Sequence, residues 1–160
     1  MCSSDLFEFP LIVHQFQGGM SNPTFRLVDG NGKSYVLRKK PPGKLLPSAH
    51  AVDREYRVIS ALNGTDVPVP KTFTLCEDDS VIGTAFYIME HVLGRVFLDP
   101  TLPELTRDER LAVYGSMNES LARLHDVNYR TRGLEGYGRE GGYCVRQVKR
   151  WTQQYIASKT

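Results

Sequence analysis

Apolar and polar positions along the chain fall into blocks with two different periods. An apolar run at residues 11–16 leads into Gly18-Gly19, and a second run, Phe25, Leu27 and Val28, follows the stretch Met20-Ser21-Asn22-Pro23. Two such runs joined by a small-residue loop predict a β-hairpin. The turn Gly30-Asn31-Gly32 then leads into a third strand at 33–39, whose alternation puts Val36 and Arg38 on one face and Tyr35, Leu37 and Lys39 on the other. Pro41-Pro42-Gly43 and Pro47 stop that strand. From 49 to 62 the period changes: Val52, Tyr56, Ile59 and Leu62 recur at helical spacing, Asp53, Arg54, Arg57 and Ser60 lie largely opposite, Ser48 is the expected cap, and Asn63-Gly64 ends the helix.

Val67-Pro68-Val69-Pro70 reads as an extended connector, because proline lacks a ladder donor. Strands at 72–77 and 84–90 flank Asp78-Asp79-Ser80, which is expected to be a solvated hairpin turn rather than a metal site. After a loop at 99–103, Thr106 and Glu109 form a capping box for a long helix whose buried stripe should be Leu111, Tyr114, Met117, Leu121 and Leu124. His125-Asp126 closes that helix, where a cation suits the dipole and Asp suits a cap, so the pair is structural and not catalytic. Residues 130–142 form a Gly-, Arg- and Tyr-rich loop. Val145, Val148, Trp151 or Thr152, and Tyr155 mark a last amphipathic helix. Strands gathered first and helices later define an α+β chain.

Two features carry candidate chemistry. The Gly18-Gly19 loop reads either as turn punctuation or as a cover for phosphate oxygens, since glycines let the backbone approach a ligand and exposed N–H groups donate to anions. Strand three favours the second reading, with adenine under Val36 and phosphate at Arg38. Glu55 is the other feature. At 3.6 residues per turn it falls between Ile59 and Leu62 on the apolar face, where a carboxylate needs a partner. Arg38 is the natural candidate; the alternative is a rim position from which Glu55 reaches water.

Composition narrows the classes further. With 41% hydrophobic and 24% charged residues in 160, the chain is of ordinary globular type and about one domain long. Its net charge of +2 is dispersed apart from Arg38-Lys39-Lys40 with Lys44 nearby, which excludes a nucleic-acid surface. Cys2, Cys76 and Cys144 are odd in number and widely spaced, so neither a disulfide framework nor a thiolate cluster is expected. His14, His50, His91 and His125 show no zinc-ligand spacing, and no metal is assigned to side chains present here. No stretch is long and apolar enough for a transmembrane helix, and Met1-Cys2-Ser3-Ser4-Asp5 lacks a signal core, so an intracellular protein is expected. The sequons Asn63-Gly64-Thr65 and Asn118-Glu119-Ser120 are then chance matches.

The succession of strand, small-residue loop, two strands with Arg38, helix with Glu55, two strands and Met89-Glu90-His91-Val92-Leu93-Gly94 resembles the N-terminal lobe of the aminoglycoside phosphotransferase and protein kinase-like fold. More narrowly, Ser21-Asn22-Pro23-Thr24, Arg38-Lys39-Lys40-Pro41-Pro42-Gly43, Leu45-Leu46-Pro47-Ser48-Ala49-His50, Phe86-Tyr87-Ile88-Met89-Glu90 and Arg146-Gln147-Val148 with Trp151 resemble the kinase-like domain of the long, multi-domain acyl-CoA dehydrogenase family members. That resemblance, which runs from Phe9 onward, implies that Gly18, Gly19, Ser21 and Asn22 cover the phosphates of ATP. It also implies that Arg38 binds phosphate, that Glu55 is its helix partner, and that the backbone of Glu90 and Val92 receives adenine. Arg38 departs from the lysine of protein kinases.

The resemblance further implies a kinase-like lobe with hinge at 1–92 and the start of a helical second lobe at 93–160. The catalytic-loop Asp and the Asn and Asp that hold magnesium are expected only in a longer parent, as is the FAD-dependent dehydrogenase domain. The expected function is therefore part of an ATP- and magnesium-dependent phosphotransferase acting on hydroxyacyl-CoA in fatty-acid breakdown, with no catalytic residue in this chain. The alternative is a non-catalytic binding or regulatory fragment. Self-association through an uncovered second-lobe surface is expected as well. Relatives of this kind are placed in mitochondria or peroxisomes, although Ser158-Lys159-Thr160 is not the usual peroxisomal ending.

Overall fold

The computed structural model describes residues 6–17, 22–43 and 50–158. Gly18, Gly19, Ser21 and the expected cap Ser48 lie outside the described residues. Two compact units are present, Met1–Val127 and Asn128–Thr160.

In the first unit five antiparallel strands, β1 (Ile12–Gln15), β2 (Thr24–Val28), β3 (Ser34–Lys39), β4 (Thr72–Cys76) and β5 (Phe86–Glu90), form one sheet in the order β1-β2-β3-β5-β4. The β2–β3 register is set at the turn: Asp29 takes N–H bonds from Asn31 and Lys33 on Oδ1, and Gly32 adopts φ +78°. Gly30 has a different constraint, because a Cβ there would sit 2.8 Å from the Phe9 carbonyl oxygen.

The register produces two chemically distinct faces. Leu27, Tyr35, Cys76, Phe86 and Ile88 form a buried cluster on one, joined by Phe25, Leu37 and Phe73. A bulge in β4, where Thr72 opposes Met89 but Thr74 opposes Ile88, accommodates Phe73 as the extra residue. The opposite face carries α1 (Val52–Leu62), which packs on β4 and β5 through Val52, Tyr56 and Ile59 against Ala85, Tyr87, Leu75 and Met89. At 25 cal/mol per Å², fully burying such side chains stabilises by about 1.5–3 kcal/mol each, and this burial rather than helix propensity fixes α1. The C-terminal turn of α1 is pinned by Asn63 Nδ2 to the Ile59 carbonyl and by a 2.8 Å hydrogen bond between the Ser60 and Thr72 hydroxyls. Ser60 therefore faces β4 and not the charged side expected for it.

One further expectation is corrected. The connection between β4 and β5 is not a simple turn but holds a short helix, α2 (Asp79–Ile82), capped by the Asp78 carboxylate on the Ser80 N–H and ended by Gly83 at φ +86°. Four residues from 79 leave the strand direction, so an Asx-capped helical turn satisfies more backbone groups than a tight turn would. The helix α3 (Arg107–His125) has the expected capping box between Thr106 and Glu109. Its apolar stripe is exposed, in line with the uncovered second-lobe surface expected for this chain: Leu111 and Met117 at 59% and Leu121 at 50%. Periodicity locates such a stripe but cannot supply the surface that covers it.

In the second unit, Tyr129, Arg130 and Glu140 tie the loop together through hydrogen bonds and an Arg130–Glu140 ion pair of 3.1 Å. It ends in α4 (Tyr143–Ala157). Among the described residues no helix is long and apolar enough to cross a membrane, and no group of His, Cys, Asp and Glu could hold a metal ion.

Candidate functional site

Arg38 and Glu55 meet. Arg38 Nε donates to Glu55 Oε2 at 2.7 Å and Nη2 donates to Oε1 at 3.4 Å, with the two side chains 32% and 34% exposed. The pair is thus partly buried, and the alternative in which Glu55 merely reaches water is excluded. Its geometry follows from the two periods: Arg38 points off β3 towards the face that carries α1, and Glu55 points back from the first turns of that helix.

The carboxylate has further donors. Tyr87 Oη donates to Oε2 at 3.2 Å and Asn22 Nδ2 to Oε1 at 2.9 Å. Thr24, Arg38 and Tyr87 are cross-strand partners on β2, β3 and β5, so they form one row on the same face. Arg38 Nη1 reaches Thr24 Oγ1 at 3.4 Å, and that hydroxyl donates to the Asn22 carbonyl at 3.0 Å. Asn22 Oδ1 in turn lies 2.9 Å from His50 Nδ1. Burial, with the nearby Glu55 charge as the second cause, pushes the Tyr87 phenol well above its ordinary range, so it stays a donor. Lys40 and Asp53, 3.9 Å apart, add a second ionic link from the end of β3 to α1.

One step along the same face lies a cleft of about 630 Å³. Phe16, Val36 and Met89 line it with apolar side chains, together with Val69, Glu90 and Val92. Val36 and Met89 are themselves cross-strand partners, two residues from Arg38 and Tyr87, so the cleft and the ion pair share adjoining rows. Glu90 is pinned at the end of β5: its N–H donates to the Lys71 carbonyl at 2.8 Å and its carboxylate accepts from the Lys71 N–H at 3.1 Å. A flat heterocycle suits such walls, with anionic groups directed towards Arg38. A second hollow of about 550 Å³ lies on the other face, among Phe25, Leu27, Leu37 and Ile88, with Lys39 as its charged lining residue. It is separated from Arg38 by the sheet, and its polar lining is confined to Lys39 and Thr74, so the cleft beside the ion pair is the candidate.

Of the residues expected at the site, Asn22, Arg38 and Glu55 come together in one network, and Val36, Glu90 and Val92 line the adjoining cleft. Thr24, Tyr87 and His50 complete the network and were not singled out by sequence reasoning. Alternation along β5 places Tyr87 and Met89 on one face, but pairing Tyr87 with Arg38 needs the β3–β5 register, and these strands are separated by about fifty residues.

Residues 12–160 match the model of the phosphotransferase enzyme family, and the chain belongs to that family. Among solved structures it is similar to a Ralstonia eutropha protein whose assignment as an aminoglycoside phosphotransferase is provisional, with 52% identity, a TM-score of 0.82, and coverage of 98% of this chain and 44% of that one. Among curated proteins it is similar to the Arabidopsis thaliana protein named "Probable acyl-CoA dehydrogenase IBR3", 57% identical over 91% of this chain and 18% of the relative. It is likewise similar to human acyl-CoA dehydrogenase family member 11, 54% identical over 94% of this chain and 19% of the relative. The chain thus spans about a fifth of the length of these curated relatives.

Proposed function

We propose that this chain is the N-terminal part, with the nucleotide lobe and the first helices of the second lobe, of an ATP-dependent phosphotransferase that, in a longer parent, phosphorylates a hydroxyacyl-CoA. The observation that carries the reading is the Arg38–Glu55 pair set beside the Val36 cleft on one sheet face. Adenine would lie between Phe16, Val36 and Met89 against the backbone of Glu90 and Val92. The Gly18, Gly19, Ser21 and Asn22 loop would cover the phosphates through backbone N–H groups. Arg38 would stabilise the phosphate charge with the guanidinium edge that Glu55 leaves open, and a planar fork held at its Nε side directs its remaining donors in one direction.

Magnesium would be held by the nucleotide and by residues of the parent, where the Asp that receives the acceptor proton also belongs. When bound, it neutralises the charge of the phosphates. FAD belongs, on this reading, to the dehydrogenase part of such a parent. The acyl-CoA acceptor is suggested by the names of the curated relatives.

Calorimetric titration of the chain and of the parent with MgATP tests the reading. Binding is expected, with Arg38→Ala and Val36→Trp each weakening it about tenfold or more, the loss of a charge-assisted contact and of the adenine space respectively. Equal affinity in all three proteins would overturn the site assignment. A parent that binds MgATP but transfers no phosphate to any hydroxyacyl-CoA would leave a binding or regulatory role instead.

A further inference from the structure

Asn22 closes the loop expected to cover phosphates, yet its side chain is turned inward and the residue is 6% exposed. A carboxylate only accepts, so the Asn22 group facing Glu55 must be Nδ2, and this leaves Oδ1 to face His50. His50 must then carry a proton on Nδ1. The backbone of His50 is also unusual: φ is +59°, a left-handed conformation disfavoured for a non-glycine residue.

The position of His50 gives that conformation a use. Its carbonyl accepts the Val52 N–H at 2.9 Å, at the first residue of α1, and Ala51 provides no side-chain cap. The start of α1 has no side-chain cap of its own, and the ring of His50 on Asn22 ties it to the entry of β2 beside the contacts of Glu55. Asn22 is attached from its other side as well, since the Thr24 hydroxyl bonds its carbonyl and meets Arg38.

We propose that Asn22 and His50 are positioning residues that tie the entry of β2 at Asn22 to the start of α1 through Glu55, so that Asn22, His50 and the Arg38–Glu55 pair act as one unit. This deepens the nucleotide-lobe reading and rests on it only for its consequence in binding.

The test has two arms on the intact chain. In the first, 15N spectra of His50 and hydrogen exchange of α1 amides are compared in the unmodified protein and in Asn22→Ala. The proton of neutral His50 is expected on Nδ1, and Asn22→Ala is expected to move it to Nε2 and to speed exchange in the first turn of α1 about tenfold. A proton on Nε2 in the unmodified protein, or unchanged exchange in Asn22→Ala, overturns the proposal. In the second arm, MgATP is titrated into Asn22→Ala, Glu55→Gln and the double variant. Losses of about tenfold in each single variant and no further loss in the double variant are expected, and multiplying losses overturn the coupling. If the unmodified chain binds no MgATP while the first arm succeeds, the nucleotide reading fails and the tie between the entry of β2 and the helix stands.

Discussion

Replacing Glu55 by alanine isolates the interaction on which the site depends. Its carboxylate takes two hydrogen bonds from Arg38, one from Tyr87 and one from Asn22. Arg38 is about one-third exposed and regains water, so the lost ion pair contributes only about 0–1 kcal/mol. The Tyr87 hydroxyl and the Asn22 amide belong to buried residues, and a buried donor deprived of its acceptor costs about 1–3 kcal/mol. Because water can enter part of the vacated space, the expected loss for Glu55→Ala is about 2–4 kcal/mol, a large share of the stability of a small domain. Glu55→Gln keeps the volume and one acceptor, and is expected to lose about 1 kcal/mol. Urea unfolding at pH 7 measures both, followed by amide signals of β3 and β5, because Trp151 lies in the second unit and would report on that one. Adding Arg38→Met to Glu55→Ala is expected to cost little more, since the pair is already broken. A Glu55→Ala protein within 0.5 kcal/mol of the unmodified chain, by the scale of ordinary surface substitutions, would refute the reasoning.

The other predictions use the same structure. The Tyr87 pKa is raised in the folded state, so its contribution is complete below the unfolded value of 10.0 and is lost as pH rises above it. Measured from pH 9 to 11, Tyr87→Phe should therefore lose stability less steeply than the unmodified chain, by up to about 1.4 kcal/mol per pH unit, and parallel curves would contradict this. The exposed stripe of Leu111, Met117 and Leu121 should bind an apolar dye and promote concentration-dependent association, visible by sedimentation; a dye-free monomer at all concentrations would show the stripe to be inert. Because phosphoryl transfer by this fold needs a catalytic Asp and metal-holding Asn and Asp, the isolated chain should turn over no ATP with a hydroxyacyl-CoA, and magnesium-dependent turnover abolished by Arg38→Ala would sink that expectation.

Local chemistry was legible wherever a short period or a cap decides the conformation. Alternation in β3 assigned Val36 and Arg38 to one face, the helical period brought Glu55 onto the apolar side of α1, and Thr106 with Glu109 marked the start of α3. Asp78-Asp79-Ser80 showed the limit of this logic. The same Asx chemistry caps a turn or a short helix, and only the path between the β4 and β5 ends selected the helix. Likewise, the stripe on α3 could be placed from its spacing, but burial depends on what another surface brings to it.

The site itself divides along the same line. Two odd charges in sequence, together with the family resemblance, pointed to a pair between Arg38 and Glu55, because each is constrained by its own element. The remaining contacts required tertiary structure. Thr24 and Tyr87 reach the pair only through a sheet register that places β5 beside β3, and Asn22 reaches His50 only when the loop before β2 and the start of α1 converge. A sequence by itself determines which face a side chain takes within its own strand or helix, since that follows from backbone geometry over a few residues. Which faces meet, and whether a carboxylate found there has one donor or three donor residues, is decided by long-range packing.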